Sequence, residues 1–195
     1  MLYSELQCSP AIHQAVERMG FAEMTEIQEK TIPVMMAGHD VIAKAPTGTG
    51  KTCAFGIPVA EHILPENKYP QAVIMAPTRE LAQQIAEELT QLTYFMPEVQ
   101  VACVYGGANM EKQAKRLAEG CQIVVATPGR LMDHYKHHTI DISHVTQIVL
   151  DEADEMLNMG FYKDVRHIIE MMKARKSLSM FSATISREVM DIGWL

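Results

Sequence analysis

Short runs rich in Val, Ile and Ala recur at 41–45, 72–76, 101–105, 123–127, 148–151 and 178–182. Longer amphipathic segments at 51–64, 79–94, 110–119 and 162–174 separate them and carry their apolar residues at helical spacing. Strands that alternate with helices in this way, and that are apolar on both faces, predict an α/β fold: a mostly parallel central sheet covered by helices on both faces, in three layers. Two further helices precede the first strand. One spans 10–19; the other starts at Thr25, a good N-cap, and runs toward Ala37 before Gly38 stops it. The fifteen methionines fall mostly at apolar positions of helices and read as core filling. No repeat or low-complexity tract interrupts the pattern, and the Pro-bearing stretch 64–70 is an ordinary connection.

Composition narrows the class. A chain of 195 residues that is 48% hydrophobic suits one well-packed domain. A formal net charge of -7 leaves no global basic field, so any contact with nucleic acid must be local. Cys8, Cys53, Cys103 and Cys121 are far apart and form no CxxC pair, which excludes a disulfide framework or cysteine-based zinc site and fits a reducing cytosol. His134, His137, His138 and His144 lie in a polar segment, and structural or solvent roles are expected for them. No window approaches the roughly 18 apolar residues of a membrane span. A soluble cytoplasmic protein with no membrane contact is expected.

Two segments carry chemistry. Asp40 to Ala45 reads as a short strand, followed by Pro46-Thr47-Gly48-Thr49-Gly50-Lys51-Thr52, a glycine-bearing turn that opens a helix. Backbone N–H groups at a helix start suit clustered phosphate charge, and the helix dipole adds favourable potential. Lys51 can reach the β and γ phosphates of a nucleoside triphosphate, and the Thr52 hydroxyl can ligate magnesium. The generic pattern GxxxxGK[ST] begins with glycine where this chain has Ala45. The second segment, Gln147 to Asp154, is an apolar strand that delivers the carboxylates Asp151 and Glu152 to its end. Ligands of parallel sheets gather at the carboxyl ends of strands, so both segments should face one pocket. Asp151 is then placed to hold Mg²⁺, usually through water, and Glu152 to orient and deprotonate the attacking water.

Asp151-Glu152-Ala153-Asp154 spells the signature of the DEAD-box RNA helicases, and the chain resembles their first RecA-like domain from end to end. The resemblance implies a RecA-like P-loop NTPase fold and dependence on ATP and magnesium. Ala45 to Thr52 matches the family's phosphate-binding motif in its alanine-first form, with Pro46 where many members have glutamine. Gly20-Phe21-Ala22-Glu23-Met24-Thr25-Glu26-Ile27-Gln28 is similar to the adenine-reading motif, with Met24 in place of a common proline. A glutamine amide can accept from the adenine amino group and donate to a ring nitrogen, so Gln28 would select ATP over GTP. Phe21 resembles the ring that packs on the base, and Tyr3 matches a supporting aromatic.

Three more segments resemble the family's RNA motifs: Pro77-Thr78-Arg79-Glu80-Leu81-Ala82, Gly106-Gly107 and Thr127-Pro128-Gly129-Arg130. Hydroxyls, exposed N–H groups and helix N-termini are phosphate ligands that read no bases, so binding to RNA should be sequence-independent. Arg79 and Arg130 supply local positive charge, and direct phosphate contact and bracing of neighbouring motifs are both open to them. Ser182-Ala183-Thr184 matches the motif that couples hydrolysis to strand separation, with its hydroxyls beside Asp154. Ser186 can cap a helix after it. The resemblance also implies a second RecA-like domain bearing arginine fingers. The 195 residues do not contain it, so the chain is expected to be the nucleotide-binding half, which binds ATP or ADP with little turnover and does not unwind RNA by itself. A non-enzymatic ATP- and RNA-binding docking module is the alternative, for which Glu152→Gln would change nothing. A small-molecule kinase is disfavoured for want of an arginine-rich lid segment.

Overall fold

A computed structural model describes residues 1–45 and 50–195. The expected phosphate-turn residues Pro46, Thr47, Gly48 and Thr49 lie outside the described residues. Six strands are present: β1 (Ile42–Lys44), β2 (Ala72–Met75), β3 (Val101–Val104), β4 (Ile123–Ala126), β5 (Gln147–Asp151) and β6 (Ser177–Ser182). They form one sheet in the order β1-β6-β5-β2-β4-β3, and every pairing is parallel. The sheet expected to be mostly parallel is therefore wholly so among the described residues, as strands joined through covering helices require.

The helices are α1 (Pro10–Arg18), α2 (Glu26–Met36), α3 (Lys51–Glu61), α4 (Arg79–Leu92), α5 (Met110–Ala118), α6 (Pro128–Lys136), α7 (Ala153–Asn158), α8 (Tyr162–Met171) and α9 (Arg187–Gly193). The N-cap expected at Thr25 is present as a capping box with Gln28, and Ser186 caps α9 by accepting from the Val189 N–H. Periodicity did not mark α6, α7 and α9 as helices. α7 and α9 are only 6 and 7 residues long, and α6 opens on Pro-Gly and ends among polar residues, so none offers a sustained apolar stripe.

Strand residues alternate between two cores. Val73, Met75, Val124, Ala126, Ile148 and Leu150 face α5 to α9, while Ala72, Ile74, Ile123, Val125 and Val149 face α2, α3 and α4. This is the three-layer arrangement that the apolar runs predicted. A third cluster, which includes Tyr3, Ile12, Val16, Ile32, Cys53, Ile57 and Leu92, packs the N-terminal segment and α1 outside α3. That outer layer explains why α3 is buried along nearly its whole length. Phe55 of α3 meets Phe181 of β6 with ring centroids 5.4 Å apart. Such a buried ring is worth about 3–5 kcal/mol against alanine, and here it fixes the helix that carries Lys51 to the sheet.

Candidate functional site

The carboxyl edge of the sheet carries the described strand-end segments singled out in the sequence, while Gly20 to Gln28 precede β1 and lead into α2. Along the strand order come Ala45 after β1, Ser182 ending β6, Asp151 ending β5, Thr78 after β2, Thr127 after β4 and Gly106 after β3. The edge thus divides into a half built on β1, β6 and β5 and a half built on β2, β4 and β3.

In the first half, Lys51 and Asp151 meet: Nζ lies 3.1 Å from Oδ1, and both side chains are buried. Asp151 Oδ1 also accepts from the Glu152 N–H at 3.0 Å. Burial pushes the Asp151 carboxyl above its ordinary range despite the pull of the Lys51 ammonium. Among the described residues nothing donates to Asp151 Oδ2. Thr52 is buried one residue along α3 from Lys51. A carboxylate oxygen and a threonine hydroxyl are hard oxygen donors of the kind Mg²⁺ takes. No cluster of three His, Cys, Asp or Glu that could hold a metal ion exists among the described residues.

Glu152 has φ 51° and ψ 52°, the left-handed region that a non-glycine residue adopts at a cost of about 1–2 kcal/mol. Burial, and then the neighbouring acidic groups, raise its carboxyl against the pull of Lys51. Two residues on, Asp154 Oδ2 accepts from the Thr184 N–H at 3.1 Å and the Thr184 hydroxyl at 2.9 Å. The Asp154 N–H donates to Ser182 Oγ at 3.2 Å. The expected link between Asp154, Ser182 and Thr184 is therefore formed.

Gly50 sits at φ 93° at the start of α3, and a Cβ there would lie 3.1 Å from the Gln28 and Thr25 side chains. Glycine is needed for both reasons. Gln28, itself buried, donates from Nε2 to Gly50 O at 2.9 Å, and its Oε1 accepts from the Thr25 N–H at 3.0 Å and from the Tyr3 hydroxyl. Among the described residues, the second Nε2 hydrogen meets no acceptor. Tyr3 and Phe21 stack with centroids 6.3 Å apart, and with Thr25, Gln28, Thr52 and Cys53 they line a cavity of about 220 Å³. Phe21 is half exposed there, unlike a core ring.

In the second half, Thr78 caps α4 by accepting from the Leu81 N–H at 3.2 Å, behind a buried Pro77. Thr127 precedes α6 and makes no side-chain cap bond; Pro128 is its first residue, followed by Gly129. Arg79 lies over the Tyr105 ring at 4.8 Å and is exposed. Arg130 is turned inward: its Nη1 donates to Ala108 O at 3.0 Å and to Gln113 Oε1 at 3.1 Å. Of the two uses open to these arginines, Arg130 adopts bracing. Gly107 is at φ 82°. Gln113 and His134, which join these loops, escaped the motif reading. The available signal was a polar residue inside an apolar helical stripe, between Met110 and Leu117 in α5 and just past Leu131 in α6.

A wholly parallel sheet covered by helices, with a lysine at the start of α3 meeting an acidic strand end, makes this an α/β protein of the three-layer class. Residues 25–192 match the family model for DEAD/DEAH box helicases, and the chain belongs to that family. It is 49% identical over 193 residues to the ATP-dependent RNA helicase CshA of Limosilactobacillus reuteri, covering 99% of this chain and 39% of that protein. It is 44% identical to the ATP-dependent RNA helicase DeaD of Mycobacterium tuberculosis, covering 94% of this chain and 32% of that protein. The chain therefore spans less than two fifths of the length of these curated relatives. Among solved structures, a DEAD box protein from Methanococcus jannaschii superposes with a TM-score of 0.91 at 40% identity, covering all of this chain and 53% of that one. A hypothetical ATP-dependent RNA helicase from Sulfolobus tokodaii gives 0.86 at 41% identity, covering 93% of this chain and 53% of that one.

Proposed function

We propose that this chain is the nucleotide-binding half of an ATP-dependent RNA helicase, with ATP and Mg²⁺ on the β1, β6 and β5 half of the edge and single-stranded RNA on the β2, β4 and β3 half. The observation that carries the reading is the buried Lys51–Asp151 pair at the carboxyl edge of one sheet. Lys51, freed from Asp151 by the incoming triphosphate, neutralises the β and γ phosphates, and the helix start at Gly50 supplies N–H donors. Thr52 and Asp151 would hold the magnesium ion, which when bound offsets charge on the phosphates. Glu152 orients the attacking water and takes its proton. Thr184 and Ser182, bonded to Asp154, couple the acidic turn to β6. RNA is held through phosphates by Thr78, Gly106, Gly107, Thr127 and the α6 start, independently of sequence. An arginine finger from a second RecA-like domain is worth about 10³–10⁵ in rate, so these 195 residues alone bind nucleotide and turn it over slowly. A cytoplasmic location belongs to the same proposal; separately, no helix among the described residues is long and apolar enough to cross a membrane.

Adenine is read by Gln28. Its spare Nε2 hydrogen reaches a ring nitrogen, and Oε1 exchanges the Tyr3 hydroxyl for the adenine amino group. The test is a fluorescence titration of ATP against GTP with magnesium. Wild type should prefer ATP, and Gln28→Ala should reduce the preference by about ten-fold or more, the cost of one or two buried hydrogen bonds. Equal affinity for both bases in the wild type would overturn the assignment of Gln28, and no binding of either nucleotide would overturn the reading as a whole.

A further inference from the structure

The loop 105–108 and the start of α6 are joined by a buried polar network. Gln113 Oε1 accepts from Arg130 Nη1 and from His134 Nε2, each at 3.1 Å, and Gln113 Nε2 donates to Tyr105 O at 3.0 Å. Arg130 has donors only, so it fixes which way the amide points. The oxygen must face Arg130, and the NH₂ must face the Tyr105 carbonyl. An acceptor-only oxygen in turn requires the proton of His134 on Nε2, with Nδ1 left to Thr139 Oγ1 at 2.7 Å. His134 is fully buried. On the far side, Gln83 Nε2 donates to the Tyr105 hydroxyl at 3.0 Å, and the Arg79 guanidinium covers that ring. The starts of α4 and α6 and the glycine loop between them are thus tied into one unit.

Both braces on the loop act at carbonyls, Tyr105 O from Gln113 and Ala108 O from Arg130. The N–H groups of Gly106 and Gly107 donate to no acceptor among the described residues. The loop is therefore held rigid without spending the donors that an anion needs, and the cost of ordering a phosphate-binding loop is met before ligand arrives.

We propose that Gln113 and His134 are positioning residues for RNA: they touch no nucleotide, and they hold loop 105–108 against the α6 start so that both present donors to successive backbone phosphates. This rests on the reading of these segments as RNA contacts. The test uses the 195-residue chain with Gln113→Leu, His134→Leu and the conservative His134→Gln, which keeps a donor near the Nε2 position. Three quantities are followed: amide hydrogen exchange, affinity for a fluorescein-labelled oligouridylate, and affinity for a fluorescent ADP analogue with magnesium. The two leucine variants should raise exchange at 105–108 and 127–130 and weaken oligouridylate by about ten-fold, the loss of one or two buried hydrogen bonds. ADP affinity should stay within about two-fold of wild type, and His134→Gln should recover most of the RNA affinity. Unchanged exchange in the leucine variants overturns the proposal, as does a parallel fall in ADP affinity, which would mark a general structural role. If a leucine variant fails to fold, His134→Gln and Gln113→Glu decide by the same comparison, Gln113→Glu replacing the donor to Tyr105 O by a carboxylate oxygen while keeping an acceptor for Arg130. If wild type binds no oligouridylate, the RNA reading fails, and the bracing claim is judged on exchange alone.

Discussion

Glu152 is where chemistry and stability conflict. Its left-handed backbone is what a tight passage from β5 into α7 demands, and glycine would adopt it without strain. Replacement by glycine should therefore leave stability unchanged or raise it by up to about 1 kcal/mol, even though it deletes the proposed base. Urea denaturation of Glu152→Gly against wild type checks this; a loss above about 1 kcal/mol would show that the carboxylate supports the fold. Lys51 and Asp151 behave differently. A buried pair contributes little by existing but costs about 3–5 kcal/mol to break from one side, so the site is held ready by charges that only a ligand can separate.

The contact between β6 and α7 runs through Asp154 and Thr184. Burial would raise the Asp154 carboxyl, but the Thr184 hydroxyl and N–H outweigh it and hold the group below its ordinary value. A depressed carboxylate contributes stability that is present above the unfolded value of about 3.9 and is lost as pH falls through the folded one. Thr184→Val should thus cost about 1.5–3 kcal/mol at pH 7, with the difference shrinking below about pH 3.9. Equal loss at pH 7 and at pH 3 would mean that the hydroxyl packs rather than bonds. Elements of this kind were legible in the sequence to different degrees. The six strands and the long helices showed themselves because period and apolar content are local properties. α6, α7 and α9 did not, because a helix of 6 to 9 residues that opens on Pro-Gly, on a strained glutamate or on a single serine cap carries too little pattern. Gln113 stayed hidden, and His134 was legible only as a histidine with a structural or solvent role, because their value lies in contacts to residues 5 to 21 positions away.

Under the proposed function, the whole molecule separates two jobs along one edge. Strand order puts β5 between β6 and β2, so the acidic turn of Asp151 to Asp154 stands at the border between the phosphate end and the RNA end. The rule that ligands collect at the carboxyl ends of parallel strands was enough to place Lys51 opposite Asp151 in advance. It was not enough to order the RNA segments, since pairing of β2 with both β5 and β4 depends on crossovers that leave no mark in any one stretch of residues. On the proposed reading, an acidic chain would hold RNA on such an edge through backbone amides, hydroxyls and an exposed arginine rather than through a basic field. The central claim is that Lys51 and Asp151 grip a magnesium nucleotide between them. Titration of the isotope-labelled chain with Mg-ATP, followed by amide chemical shifts, tests it most directly. Shifts should concentrate at Gln28, Gly50 to Thr52 and Asp151 to Asp154, and disappear when Lys51 is replaced by alanine. Saturating Mg-ATP that moves none of these amides, or moves only those near β3, would contradict it.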